Sequence, residues 1–169
     1  MIGSPLAWTA LHRQHHGHAE TEKDPHSPYQ LGWFKAWFGF WNIENIHPKY
    51  IKDIRKIPFY KFTHTYYFVI NIVYIVALAL INPVWIIFAW AIPTVLVLHS
   101  TSAIIVIAHI HGYRNHDSDD QSRNSWIASL ITLGEGWHNN HHANSKAWNN
   151  QEKWWELDPP AWIIRLIKT

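Results

Sequence analysis

From Phe62 to Tyr113 the chain carries no Asp, Glu, Lys or Arg, an uninterrupted run of 52 residues dominated by Ile, Val, Leu, Ala and aromatics. One straight helix of that length would measure about 78 Å, more than twice the roughly 30 Å hydrocarbon core of a bilayer. The run must therefore fold back. Asn82-Pro83 supplies the reversal, because proline cannot continue the hydrogen-bond ladder and restricts the residue before it. The pattern predicts one span over about 66–81 and a second over about 84–108, joined as a helical hairpin. Tyr66 and Tyr67 read as interfacial anchors, Pro93 as a kink in the second span, and His99 as a polar group too deep for ordinary solvation. A core hairpin of a soluble helical domain is the weaker reading, since charge-free runs of this length are rare away from membranes.

Lys49, Lys52, Arg55, Lys56 and Lys61 precede the hairpin, Arg114 and Arg123 follow it, and its turn is uncharged. The positive-inside rule then places both polar flanks on the cytoplasmic side. No signal peptide is expected, because Gly-Ser-Pro and the polar HRQHH run follow Met1 closely. Trp33, Phe34, Trp37, Phe38, Phe40 and Trp41 crowd around Lys35 and suggest interfacial helices. Residues 112–121 read as a loop, 124–133 as a short helix, and 154–168 as an amphipathic segment broken at Pro159-Pro160. The expected fold is all-α. It is a helical integral membrane protein forming a single unit over 1–169, with a transmembrane hairpin and a cytosolic, histidine-rich helical cap built from 1–60 and 109–169.

The chain contains 14 His and 12 Trp but no Cys, which excludes disulfides, thiolate zinc sites, cysteine-ligated iron–sulfur clusters and a cysteine nucleophile. Fourteen Lys and Arg against 12 Asp and Glu leave no electrostatic footprint for nucleic acid. His12, His15 and His16 (HRQHH) are spaced i, i+3, i+4, and so are His138, His141 and His142 (HNNHH). On a helix that spacing puts three imidazoles on one face. At this histidine frequency one such triplet is expected by chance about 0.1 times per chain, so a pair is a strong signal. Six neutral nitrogen ligands exceed the four of a tetrahedral ion, which points to two metal ions. Imidazole suits zinc, copper, nickel and iron alike. A centre at the end of a membrane hairpin faces acyl chains, whose unactivated C–H bonds need a redox metal, and iron fits that need where zinc does not.

LHRQHHGHAETEKDPHSP resembles the second histidine box of membrane fatty-acid desaturases, and GEGWHNNHHANSKAW resembles their third. HIHGYRNHDSDDQSRNSW is similar to the segment after the last transmembrane helix in the Δ9, stearoyl-type branch, and QSRN and WWELD are closest to bacterial acyl-lipid members. The resemblance covers essentially the whole chain. It implies a non-haem di-iron centre in a cytosolic cap, which uses O2 and two external electrons to remove two vicinal hydrogens from a saturated acyl chain. It also implies His12, His15, His16, His138, His141 and His142 as ligands, with the family's isolated ligand falling on His109 ahead of His111. Arg13, Glu20, Asp24 and Glu135 are the candidates to orient those imidazoles and offset the metal charge. An acyl lipid or acyl thioester is the implied substrate, and ferredoxin the implied electron donor.

Two departures stand out. Ile105 occupies the position where the family usually has an asparagine that holds a metal-bound water. The family also carries a first histidine box on an earlier span, whereas this chain begins at box two. The expectation is a truncated product, a second polypeptide supplying the first half, or substitution by His18, His26, His47 or His64. His64 is best placed by depth, while His18 and His26 read as structural. The alternatives to a desaturase are a hydroxylase or ketolase on the same scaffold, and a catalytically silent membrane fragment.

Overall fold

A computed structural model describes residues 3–168. Helix α1 (Pro5–His18) opens behind Ser4, whose hydroxyl accepts the Ala7 N–H, and Pro5 takes a first-turn position that needs no N–H partner. Two short helices follow, α2 (Pro28–Leu31) and α3 (Trp33–Trp37), then a 3-10 turn at Pro48–Ile51. Helices α4 (Pro58–Thr65) and α5 (Tyr67–Ile81) meet at a 70° bend. Helix α6 (Ile92–Ile110) continues a π-helical turn at Ile86–Ala91. Helices α7 (Trp126–Thr132), α8 (His138–Ala143) and α9 (Pro159–Ile167) complete the chain. Among the described residues no strand forms. Only isolated bridges join Tyr113 to Asn124 and Asn124 to Trp137, so the molecule is all-helical as expected.

The apolar run resolves differently in detail from its pattern. The 25 residues Ile86–Ile110 are long and apolar enough to cross a membrane, with mean hydropathy 2.0. The expected first span shrinks to the 15 residues of α5, about 22 Å, and passes the same test only together with the bent α4. Asn82 is extended, and its side-chain oxygen accepts the Val84 N–H at 3.0 Å, so the break falls where proline demanded it. The expected kink at Pro93 is a wide turn just before it. Ile92 donates to Ile87 O, five residues back, and Pro93 follows without an N–H to place. Pro159-Pro160, expected to break a helix, instead start α9. Their missing N–H groups fall in the first turn, and the Asp158 carboxylate accepts the Ala161 N–H at 3.1 Å.

Helix α6 is the axis on which the rest is hung: α3 and α7 pack along it, and α2 and α8 touch it. Ala36, Ile105 and Val106 form the buried apolar contact, flanked by Trp37 and Trp41. His99 finds its partner here, accepting the Trp37 indole N–H at 3.0 Å, while Ser102 Oγ donates to Trp37 O. The aromatic segment 33–41 is thus pinned by Trp37, whereas Trp33, Phe34, Phe38 and Phe40 stay exposed.

Beyond α6 the chain turns at Gly112, where φ is +140° and a Cβ would lie 2.3 Å from Asn124 O. Only glycine tolerates that approach, and the Tyr113–Asn124 bridge depends on it. We expect Gly112→Val to cost about 3 kcal/mol or more, read as a lowered denaturation midpoint of the full chain.

Candidate metal centre

Three helices converge their imidazoles on two small volumes. From α1 come His12, His15 and His16, from the end of α6 comes His109, and from α8 come His138, His141 and His142. Potential ligand atoms of His15, His109, His138 and His142 lie within 4.8 Å of one another, and those of His12, His16 and His141 do the same. In the second group the three Nε2 atoms form a triangle with edges of 3.0, 3.1 and 3.3 Å. In the first, His142 Nε2 stands 3.0 Å from His138 Nε2 and 3.3 Å from His15 Nε2. Ligands on a tetrahedral ion 2.0–2.1 Å away would be about 3.3 Å apart, so these spacings suit a common cation.

The opposite ring edges show why the Nε2 atoms of His15, His109 and His142 are bare. His15 Nδ1 meets Asp24 Oδ2 at 2.8 Å, His109 Nδ1 meets Glu20 Oε1 at 2.6 Å, and His142 Nδ1 meets Asp120 Oδ2 at 2.5 Å. A carboxylate can only accept, so each Nδ1 carries the proton and each Nε2 presents a lone pair. Lone pairs aimed at one another repel unless a cation lies between them, and His109 Nε2 is buried with no protein partner. The donor set therefore fits a pair of imidazole-loving metal ions, with three carboxylates behind it to offset their charge.

Each carboxylate is itself held in place. Asp24 accepts the Glu20 and His26 N–H groups at 2.9 and 3.1 Å. Asp120 accepts Ser122 N–H and Oγ–H. Glu20 accepts the Gln121 N–H at 3.1 Å and adopts a left-handed backbone with φ of 59°, a strain of about 1–2 kcal/mol for a non-glycine residue. Burial acts against ionisation of Asp24 and Asp120, yet the hydrogen bonds and charge of His15 and His142, together with the neighbouring N–H and hydroxyl donors, outweigh it and hold both carboxyls below the ordinary range.

The two spacer residues of HNNHH carry the scaffold. At six residues α8 is too short to stand alone and has no side-chain cap. Asn124 Oδ1 accepts the N–H groups of Asn139 and Asn140 at 3.0 and 3.2 Å, and its amide donates to Asn140 Oδ1 at 2.7 Å. Asn139 Oδ1 accepts the N–H groups of Asn115 and His116, both at 2.8 Å. Asn140 donates to Glu156 Oε2 at 2.9 Å. Glu156 is wholly buried and also accepts Tyr113 Oη–H, Asn115 Nδ2–H and the N–H groups of Glu152 and Lys153.

Sequence reasoning assigned Arg13 and Glu135 to the surroundings of the metals, and the structure places both differently. Arg13 reaches outward to Asp53 Oδ1 at 2.7 Å and Tyr50 O at 2.8 Å, because its position on α1 turns away from the histidine face. Glu135 borders the small cavity beside His138 and His141 but has no hydrogen bond to a ligand imidazole, and burial followed by Asp158 pushes its carboxyl up. Asp120 was missed. Its only signal was the acidic loop HDSDD, which does not reveal which acid turns inward. Of the substitutes considered for the first box, His64 is taken by Ser4 Oγ at 2.6 Å, His47 Nδ1 accepts the Lys49 N–H, and His18 joins neither group. His26, read as structural, is buried with both ring nitrogens unpartnered, and its ring centroid lies 4.4 Å from that of His15. His111 is exposed past the end of α6. Ile105 is buried and lines the small cavity beside the histidines.

Burial and neighbouring imidazoles lower His12 to about 3 and His141 and His142 to about 4, so all three are neutral and ready to ligate at neutral pH. The unfolded chain takes up these protons near pH 6.5 and the folded chain does not, so stability and metal retention fall as pH drops below about 6.5. Denaturation midpoints and bound metal measured from pH 8 to 5 should decline together. Asp120→Asn should weaken metal retention about 10–100-fold at pH 7.5, measured by competition with a chelator, because His142 loses the carboxylate that fixes its tautomer.

Comparison with known proteins gives one consistent result. The family model for fatty acid desaturases matches residues 1–163. The sn-2 palmitoyl-lipid 9-desaturase of Nostoc sp. (strain 36) is 34% identical over 99% of this chain and 61% of its own length. The sn-1 stearoyl-lipid 9-desaturase of Synechocystis sp. is 35% identical over 98% of this chain and 53% of its own length. A chloroplastic palmitoyl-monogalactosyldiacylglycerol delta-7 desaturase of Arabidopsis thaliana is 31% identical over 98% of this chain and 46% of its own length. The chain thus spans between about half and three-fifths of the length of these relatives. With two histidine boxes and an isolated histidine meeting in space, and a family match over nearly every residue, the chain belongs to the fatty acid desaturase family.

Proposed function

We propose that the chain is the histidine-bearing part of an O2-dependent desaturase acting on a saturated acyl chain of a membrane lipid. The observation that carries this reading is the gathering of seven imidazoles into adjacent groups of four and three. His15, His109, His138 and His142 would hold one iron, and His12, His16 and His141 the other. The three-histidine group leaves room for a further ligand, which a segment bearing the family's first box would supply, from the same polypeptide or another. When bound, the two irons supply the oxygen and one-electron chemistry that side chains lack, drawing two electrons from an external donor such as ferredoxin.

The protein's own share is to present one C–C pair of the acyl chain. A largely apolar cavity of about 500 Å³ lies between α1, the 38–51 segment and α6, lined by Leu6, Ala10, Leu11, Phe38, Trp41 and Ile46 among others. A smaller one of about 150 Å³ abuts the ligands His12, His15, His109, His138 and His141. Trp8 lines the small cavity and packs against Trp41, which lines the large one, with ring centroids 6.2 Å apart. An acyl chain lying in the large cavity would pass this tryptophan pair to reach the metals, and the two rings would fix its depth. The hairpin of α5 and α6 would be embedded in the bilayer with the histidine cap on its cytoplasmic face, so that a lipid-borne chain enters without crossing water.

The test is expression in a host with fully saturated lipids, together with a segment carrying the family's first box, followed by fatty-acid and iron analysis. New monoenes and about two irons per chain are expected, and His141→Ala should remove both. Oxygenated products would instead favour a hydroxylase, and no product without bound iron would retire the enzymatic reading. Ala10→Phe, which fills the large cavity while leaving the histidines untouched, should cut monoene yield at least about tenfold or shift it to shorter chains at unchanged iron content.

A further inference from the structure

Helix α9 wears its hydrophobic face on the outside. At 100° per residue Trp162, Ile163, Leu166 and Ile167 fall within an arc of about 140°, and all four are exposed, Leu166 to 79%. Ala161, the buried residue of α9, lies on the opposite side of the helix, flanked by the positions of Arg165 and Lys168. An ordinary surface helix of a soluble protein is built the other way round. Nothing in the described residues covers this face.

Three features identify what does. First, the face begins beside α7, which itself packs on α6, the helix able to span a bilayer. Helix α7 packs on α6, buries Ala128 and Ser129, and exposes Trp126, Ile127 and Leu130, the last to 82%. The start of α9 is locked beside the end of α7, where Gly134 passes so close to Asp158 that a Cβ would lie 2.9 Å from its Cα, and Trp137 Nε1 donates to Leu157 O at 2.8 Å. Second, the exposed charge around α9 is mostly positive. Glu156 and Asp158 are buried and satisfied internally, and Glu152 is paired with His116, which leaves Glu135, beside Asp158 at the start of α9, against Lys146, Arg165 and Lys168. Third, exposed tryptophans surround the helix. Trp154 is 82% exposed, and Trp148 sits under the Lys168 ammonium at 5.2 Å, tying its loop to the same surface. Indoles with one wet edge and lysines reaching upward from an apolar face belong to the headgroup layer of a bilayer.

We propose that α9, with α7 and Trp148, forms an in-plane anchor that lies in the headgroup layer of an anionic lipid leaflet, the one at which α6 ends. The anchor holds the cap against the bilayer independently of metal loading. The proposal rests on the membrane reading of α6 but not on the desaturase chemistry.

The chain has no cysteine, so a single spin label can be placed cleanly. Leu166→Cys, Leu80→Cys and Glu22→Cys would be labelled in nanodiscs containing phosphatidylglycerol, and collision rates with O2 and with a water-soluble nickel chelate compared. Leu80 in α5 serves as the lipid reference and the exposed Glu22, in the turn after α1, as the aqueous one. The label at 166 is expected to favour O2 severalfold over the chelate relative to the label at 22. Arg165→Glu combined with Lys168→Glu should move it toward the aqueous value, as should neutral lipid. An aqueous value at 166 with lipid exposure at 80 overturns the anchor while leaving the span intact. Shielding of 166 from both reagents overturns it in favour of a protein cover. An aqueous value at 80 removes the membrane reading and the anchor with it.

Discussion

Bare imidazole lone pairs held about 3 Å apart in a largely buried pocket repel, and the cap is built to keep them there. The chain has to forbid the two easy escapes, protonation and rotation. Burial suppresses the first, so that His12, His141 and His142 stay neutral far below neutral pH. The carboxylates of Asp24, Glu20 and Asp120 suppress the second by gripping the opposite ring edge. Without a cation the arrangement is frustrated, and with one it is complementary.

Rigidity of this kind usually comes from an apolar core, yet the interior around α8 is largely polar. Asn124, Asn139, Asn140 and Glu156 are buried and bonded to one another or to backbone, in place of aliphatic packing. A hydrogen-bonded network is directional where a methyl contact is not, so it fixes the angle at which a six-residue helix presents three rings. Apolar packing is spent instead where α3 meets α6, around Ala36, Ile105 and Val106. The two halves of the site thus rest on different physics. Helix α1 and the end of α6 are positioned by elements long enough to hold themselves, and α8 by side-chain amides.

The sequence was most legible where one rule acts alone. Absence of charge over 62–113 and proline at 83 located the apolar helices, and i, i+3, i+4 spacing located the histidine faces. It was less legible where two rules compete. Pro93 could kink a helix or sit just after a wide turn, and the backbone chose the turn. Pro159-Pro160 could end a helix or begin one, and Asp158 as cap settled it. Position on a helix separates Arg13 from the histidine face, a placement legible from periodicity. Asp120 was not recoverable, because which acid of a loop turns inward depends on long-range packing. Nor were Asn139 and Asn140, which lie between the histidines of HNNHH and whose bonds to Asn124, Asn115 and Glu156 hold the helix.

Glu156 gathers Tyr113 and Asn115 from one stretch and Asn140 from another, together with two backbone groups of its own turn. On a ribosome this glutamate emerges after all the histidines it organises. The HNNHH helix is thereby clamped only after residues 152–156 have folded back onto 113–115, so the closing step of the site lies C-terminal to every histidine it orders.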